Sequence, residues 1–291
     1  MLEIIEAYAV VYYQPDLQER FSIEKKTYKP AMCLKGLSYL PVITIILTLG
    51  TFILSYILAV LKKDVNAYFP YISDTGTKVP ESCVFGQLLN MASAISICTL
   101  YVRYKLVKSI VQPEDDSILK LNKHAFFWGI LSPLGLSLVA NFQETSVEIV
   151  HVIGATMVLG FGVVYEFLQT AISFQMHPSY NGLRICKVRL VISIISVIGF
   201  LTSTASAVVS RIQGHPEDKL HWKPTDGGFA AHITSTISEW VTALAFIGFF
   251  FTFISDFRKL NINVEAQLQV RHLDEHYVPY DDVNEESRLI V

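Results

Sequence analysis

Apolar positions in this chain do not alternate with a period of two, and they do not collect into short amphipathic stripes. They run on for roughly twenty residues at a time with few or no charges, which is the length a helix needs to cross about 30 Å of hydrocarbon at 1.5 Å per residue. Six such runs are present, approximately Leu37 to Leu61, Val84 to Val102, His124 to Ala140, Ile149 to Phe174, Leu190 to Ser210 and Ile233 to Ile254. The third is the shortest and is broken by Pro133. A proline is tolerated in a membrane helix when neighbours satisfy the carbonyl it frees. The pattern predicts an all-α membrane protein with a six-transmembrane-helix bundle over 36–257, an N-terminal extension over 1–35 and a C-terminal tail over 258–291.

Composition agrees with that division. Of 291 residues, 52% are hydrophobic and only 17% are charged, against about 25% charged in a soluble domain. Lysines and arginines set the orientation. With both termini cytosolic, only Lys62, Lys63, Lys78, Arg211, Lys219 and Lys223 lie on the exoplasmic side, and the rest of the 23 basic residues lie inside, as the positive-inside rule requires. Lys25, Lys26, Lys29 and Lys35 form a modest patch before the first helix, suited to anionic lipid. The start, MLEIIEAYAV, is acidic and lacks a basic n-region, so the first membrane helix is expected to serve as its own insertion signal.

The first exoplasmic loop departs sharply from its surroundings. FPYISDTGTKVPESCVFG, residues 69–86, concentrates Pro, Gly, Ser, Thr, Asp and Glu between two apolar runs, which is dense turn chemistry. Ile72, Ser73, Asp74, Thr75 and Gly76 are expected to form a tight turn, with Gly76 free to take positive φ. Pro80, Glu81 and Ser82 open the second helix, Glu81 lying near the positive end of its dipole. Tyr68, Phe69, Tyr71 and Ile72 are placed to dip back toward the membrane interface. The stretch therefore predicts a structured cap.

Other chemistry is sparse. Cys33, Cys83, Cys98 and Cys186 give no disulfide framework, and no Asn-x-Ser/Thr sequon occurs. There is no Gly-rich phosphate loop and no basic stripe for nucleic acid, and no cofactor is expected. Two polar constellations stand out against the apolar background. Glu166 lies inside the fourth run, one turn from Gln169 and Thr170. Such a group either hydrogen-bonds a neighbouring helix or snorkels to the interface, or else it holds a proton or a cation. At the outer helix ends, Glu144, Glu148 and His151 share one face if the fourth helix begins near Glu144, and His232 and Glu239 share the same spacing in the sixth. Acid beside imidazole suits structural pairing, zinc binding or pH sensing, with His151 and His232 the expected carriers of any lumenal pH response. Trp222 and Trp240 are read as interface anchors. His272 and His276, although four apart, fall in the tail.

FPYISDTGT with PES and FG, YVRYK closing the second helix, ANFQE after the third, VVYEFLQTAIS in the fourth, and EW with FFFTFISDF in the sixth resemble the damage-regulated autophagy modulator (DRAM) family. The resemblance runs from about Leu37 to Phe257, in the family's order and spacing. It implies a six-helix protein of lysosomal or late endosomal membranes that promotes autophagy as a non-enzymatic regulator or scaffold. Its implied partners are the lipid bilayer and proteins of autophagy or transport in that membrane. A transporter or channel component is the alternative that Glu166 raises. An intramembrane lipid-remodelling enzyme is the alternative that the outer His and Glu residues raise. The tail, YDDVNEESRLIV, holds Tyr280 with Val283, and Glu285 with Leu289 and Ile290, two spacings that resemble endolysosomal sorting signals read by clathrin adaptor complexes. Loss of these signals would leave the plasma membrane as the alternative location.

Overall fold

A computed structural model describes residues 7–13, 36–112, 115–214, 216 and 218–266. The chain divides into two units, residues 12–261 and residues 1–11 with 262–291. The larger unit consists of six long helices: α1 (Tyr39–Lys62), α2 (Glu81–Ile110), α3 (Asp116–Asn141), α4 (Glu148–Gln175), α5 (Leu183–Gln213) and α6 (Phe229–Phe257). Strands β1 (Ala7–Tyr13) and β2 (Leu260–Ala266) pair in a two-stranded sheet, an element that the apolar runs did not announce.

Among the described residues, five helices are long and apolar enough to cross a membrane: α1, α2, α4, α5 and α6. The sixth, α3, has 26 residues and runs unbroken through Pro133, whose own carbonyl accepts a hydrogen bond of 2.6 Å from the Ser93 hydroxyl of α2. It is less apolar because Asp116, Lys120, Lys123 and His124 occupy its first half.

Local chemistry sets the helix ends. Lys63 closes α1 in a left-handed conformation (φ 62°), its N–H bonding to the carbonyls of Ala59 and Val60. Gly228 opens α6 from the left-handed region at φ 79°, a conformation glycine adopts without a Cβ penalty.

Exposure is inverted relative to a water-soluble bundle. Ile149 and Ile212 are 77% exposed. Arg103 and Arg189 are wholly buried. An apolar exterior around a polar interior is what a lipid solvent selects, because polar side chains find partners only within the bundle.

Each helix packs on its neighbour in order, and α1 also contacts α6. The six helices therefore form a closed ring. Glycines bring α3 and α4 together: a Cβ on Gly135 would lie 2.7 Å from the Gly154 carbonyl oxygen, and one on Gly154 would lie 3.0 Å from that of Gly135. Small residues permit this backbone approach, the usual basis of helix association in membranes.

Candidate functional site

The ring has three features along its axis: the first-loop cap at one end, a cavity in the middle and a buried ion network near the opposite end.

The cap is the first loop. Asp74–Gly76 forms a single 3₁₀ turn, and all three of its residues are buried. The Thr75 hydroxyl donates to the Ile72 carbonyl at 2.7 Å and meets Ser55 of α1 at 2.8 Å. From α6, the Trp240 indole donates to the Pro70 carbonyl at 3.0 Å, and Glu239 accepts the Ile72 N–H at 3.0 Å. The Ser73 hydroxyl donates to Glu144 at 3.1 Å. Tyr71 reaches across to Ser235 at 2.8 Å. Glu81 is completely buried at the start of α2, paired with Lys62 at 3.3 Å, while Pro80 precedes the helix as its cap. Ser82 donates its N–H to the Lys78 carbonyl.

Two expectations about this loop are corrected. Gly76 does not adopt positive φ, since only Gly36 and Gly228 do so among the described glycines. The position favours glycine because a Cβ there would clash with Cγ, Cδ1 and Cδ2 of the Phe85 ring. Tyr68 and Phe69 are exposed and pack edge to face on each other, whereas Ile72 turns inward and is buried. The aromatic pair and the isoleucine therefore face opposite ways.

Asp74 is enclosed with two further carboxyls. Burial pushes its carboxyl well above the usual carboxylate range, and the negative charges of Glu144 and Glu239 push it in the same direction. Burial likewise raises the Tyr71 phenol. At the loop rim, Asp64 is held below the ordinary range by its hydrogen bond to Lys78.

The outer histidines and acids do not assemble into one centre. His151 is buried, and its Nδ1 lies 2.7 Å from the Phe142 carbonyl. The ring of His232 stacks on Trp222 with centroids 4.3 Å apart and meets Tyr71 edge to face. Glu148 pairs instead with Arg211 and Lys219, each at 2.8 Å. Glu144 precedes α4 rather than opening it. No group of three or more His, Cys, Asp or Glu suited to a metal occurs among the described residues. Trp222 and Trp240 are contacts within the fold, one against imidazole and the other holding the loop.

Below the cap lies an elongated, mainly apolar cavity of about 150 Å³, lined by α1, α2, α3, α4 and α6. His151, Ser73 and Glu239 line it at the cap end, and Tyr165 and Glu166 line it farther along α4. Glu166 is 2% exposed, with the Ser196 hydroxyl of α5 beside its carboxyl. Just before it, α4 widens into a π-helical turn, Met157–Phe161, a distortion often found at functional sites.

The third feature was missed from the sequence, where Arg103 and Arg189 read as cytosolic charges. Both are fully buried, and both donate to the same oxygen of Asp256, at 2.9 and 2.7 Å. Gln169 accepts from Arg103 Nε at 3.0 Å, and Ser173 accepts from Arg189 Nη1 at 2.7 Å. Each guanidinium also lies 5.1 Å from the Phe253 centroid. Helices α2, α4, α5 and α6 are thus tied at one point. The detectable signal was an arginine on the inward face of α2, seven residues after Ser96 and three after Leu100.

The tail residues Tyr280, Val283, Glu285, Leu289 and Ile290 lie outside the described residues.

The profile of the Frag1/DRAM/Sfk1/Cwh43P N-terminal domain matches residues 36–260. The chain is 43% identical over 259 residues to the human DNA damage-regulated autophagy modulator protein 2, covering 88% of this chain and 97% of the relative. It is 36% identical over 235 residues to the human DNA damage-regulated autophagy modulator protein 1, covering 81% and 97%. A modulator of macroautophagy from Xenopus laevis, TMEM150B-B, is 32% identical over 157 residues, covering 53% of this chain and 66% of the relative. No solved structure matches the chain.

Proposed function

Because the chain belongs to the Frag1/DRAM/Sfk1/Cwh43P family, we propose that it regulates autophagy from lysosomal or late endosomal membranes as a six-span protein with both termini cytosolic. It acts by presenting its surfaces to partners rather than by catalysis. The observation that carries this reading is the similarity to a protein named for autophagy modulation over nearly the whole of both chains. The closed ring supports the six spans: α3 packs between α2 and α4 like any other member, although its first turns are polar. The Lys and Arg distribution supports the orientation.

Scaffolding also fits the chemistry of the interior. Among the described residues, His151 and His232 are engaged apart from one another, by the Phe142 carbonyl and by Trp222, and Glu148 is held by Arg211 and Lys219. The transporter alternative draws on Glu166. Between Glu239 and Glu166, however, the cavity wall is mostly aliphatic and aromatic, with Leu136, Val139, Phe246 and Ile247 among its members. Such a lining offers an ion little hydration in transit.

The test has two arms. Cells lacking the chain should show reduced lysosomal turnover of a lipidated autophagosome marker, restored on re-expression, and unchanged turnover would refute the regulatory role. Epitopes at either terminus should bind antibody after selective permeabilisation of the plasma membrane, with the organelle intact. Protection of either terminus would refute the topology.

A further inference from the structure

Three features converge on the middle of the ring. The first is the cavity, whose volume of about 150 Å³ compares with the roughly 10–15 Å³ that one water occupies by the same measure. It has room for on the order of ten non-hydrogen atoms. It is also long: on α6 alone its lining runs from Glu239 to Phe250, about 16 Å at 1.5 Å per residue. An apolar slot of this volume and length suits one flexible chain.

Glu166 is the second. It lines the slot and is 2% exposed, and the one side chain that offers it a hydrogen bond is the Ser196 hydroxyl beside it. That hydroxyl has no other partner. The other carboxyl in the slot, Glu239, is engaged by the Ile72 N–H. Buried acids are as a rule paired or hydrogen-bonded, because an unmade bond there costs the full desolvation of the group. A carboxyl with no more than a serine hydroxyl beside it, at one point of an apolar slot, is complementary to a further donor, above all a cationic one.

The π-helical turn of α4 is the third. Val158 and Leu159 line the slot, yet no residue of Met157–Phe161 is fully buried. This turn is part of the wall of the slot, a little over one turn from Glu166 along α4.

We propose that the central slot binds a single-chain amphiphilic amine, its ammonium group donating to Glu166 and its hydrocarbon chain lying along Leu100, Leu136, Phe246 and Ile247. An acyl chain ending in a carboxylate would set like charges together at Glu166. A long-chain alcohol would supply one neutral donor where two acceptor oxygens wait. The proposal goes beyond the regulatory role above and stands whether or not autophagic turnover responds.

Full-length protein in nanodiscs of neutral lipid, treated with photoactivatable long-chain amine, alcohol and fatty-acid probes of equal chain length, provides the test. The amine should label the wild type at least tenfold more than either other probe, saturably, with cross-links in α4 around Val158 and Leu159. Glu166→Gln should reduce amine labelling to the level of the alcohol. Ala155→Phe, which fills the slot from α4, should abolish labelling by all three while the melting temperature holds. Equal labelling by the three probes, or an amine preference untouched by Glu166→Gln, would overturn the proposal. If Ala155→Phe unfolds the protein, competition by unlabelled amine on the wild type decides the matter, since labelling that fails to saturate also overturns it.

Discussion

Arg103 Nη1 donates to Asp256 Oδ2 at 2.9 Å across 153 positions of sequence, within a pocket where the arginine has no exposure at all. Asp256 also serves Arg189, so one carboxylate compensates two guanidinium groups. Removing one partner of a buried ion pair typically costs about 3–5 kcal/mol, because the remaining charge stays buried and uncompensated. Asp256→Ala should lower stability by at least that much, and Asp256→Asn, which keeps an acceptor, should cost less. Thermal melting of the purified protein measures both, and similar melting temperatures for Asp256→Ala and wild type would show the network to be dispensable.

Gly76 and Phe85 form a second pair whose contact is steric. Gly76→Val should destabilise by about 1–3 kcal/mol, as overpacking of a filled site does, and Phe85→Leu in the same chain should recover part of the loss. Thr77→Ser should be nearly silent, because the hydroxyl that donates to the Ser73 carbonyl at 3.2 Å is retained. A Gly76→Val defect left unchanged by Phe85→Leu would place the cause elsewhere.

The cap should be more stable in acid. The Asp74 carboxyl in the folded protein binds its proton more tightly than the ordinary value of 3.8 allows, first through burial and then through Glu144 and Glu239. Its stability contribution is therefore complete below that value and declines as pH rises through the folded one. Arg211, 4.0 Å from Glu144, partly offsets the repulsion. Asp64 and Asp218 act in the opposite sense, being lowered by hydrogen bonds from Lys78 and from the Leu220 N–H, but both lie near water. The melting temperature should rise from pH 7.5 to pH 5, and Asp74→Asn should flatten the rise. A wild-type profile that falls toward pH 5 would contradict the assignment.

Sorting should depend on the tail. Alanine at Tyr280, Leu289 and Ile290 together is expected to shift the protein from lysosomal membranes toward the plasma membrane without altering its melting temperature. Surface biotinylation measures the shift, and an unchanged surface fraction for the triple variant would remove the tail as the address.

The sequence determined the membrane class, the helical content and the first loop as a separate folded element, because these depend on properties summed locally along the chain. A twenty-residue apolar run is membrane-compatible whatever it packs against, and Pro70, Asp74, Gly76 and Pro80, crowded ahead of α2, disfavour long regular elements wherever they occur. The start of α2 at Glu81 behind Pro80 was legible for the same reason.

Tertiary structure decided everything that depends on which helix faces which. Arg103 looked like a cytosolic charge until α5 and α6 brought Arg189 and Asp256 to it. Gly76 looked like a residue needed for its backbone freedom until the ring of Phe85 proved to occupy the space of its Cβ. His151 and His232 looked like neighbours, yet one turns to the Phe142 carbonyl and the other lies flat on Trp222. Glu166 was visible as an acid in an apolar run, but only ring closure between α1 and α6 could show that it lines a cavity. Local patterns fix how much of a helix lipid will accept. The rotation of each helix about its axis is set by the packing of all six together, and that rotation chooses the polar groups that meet.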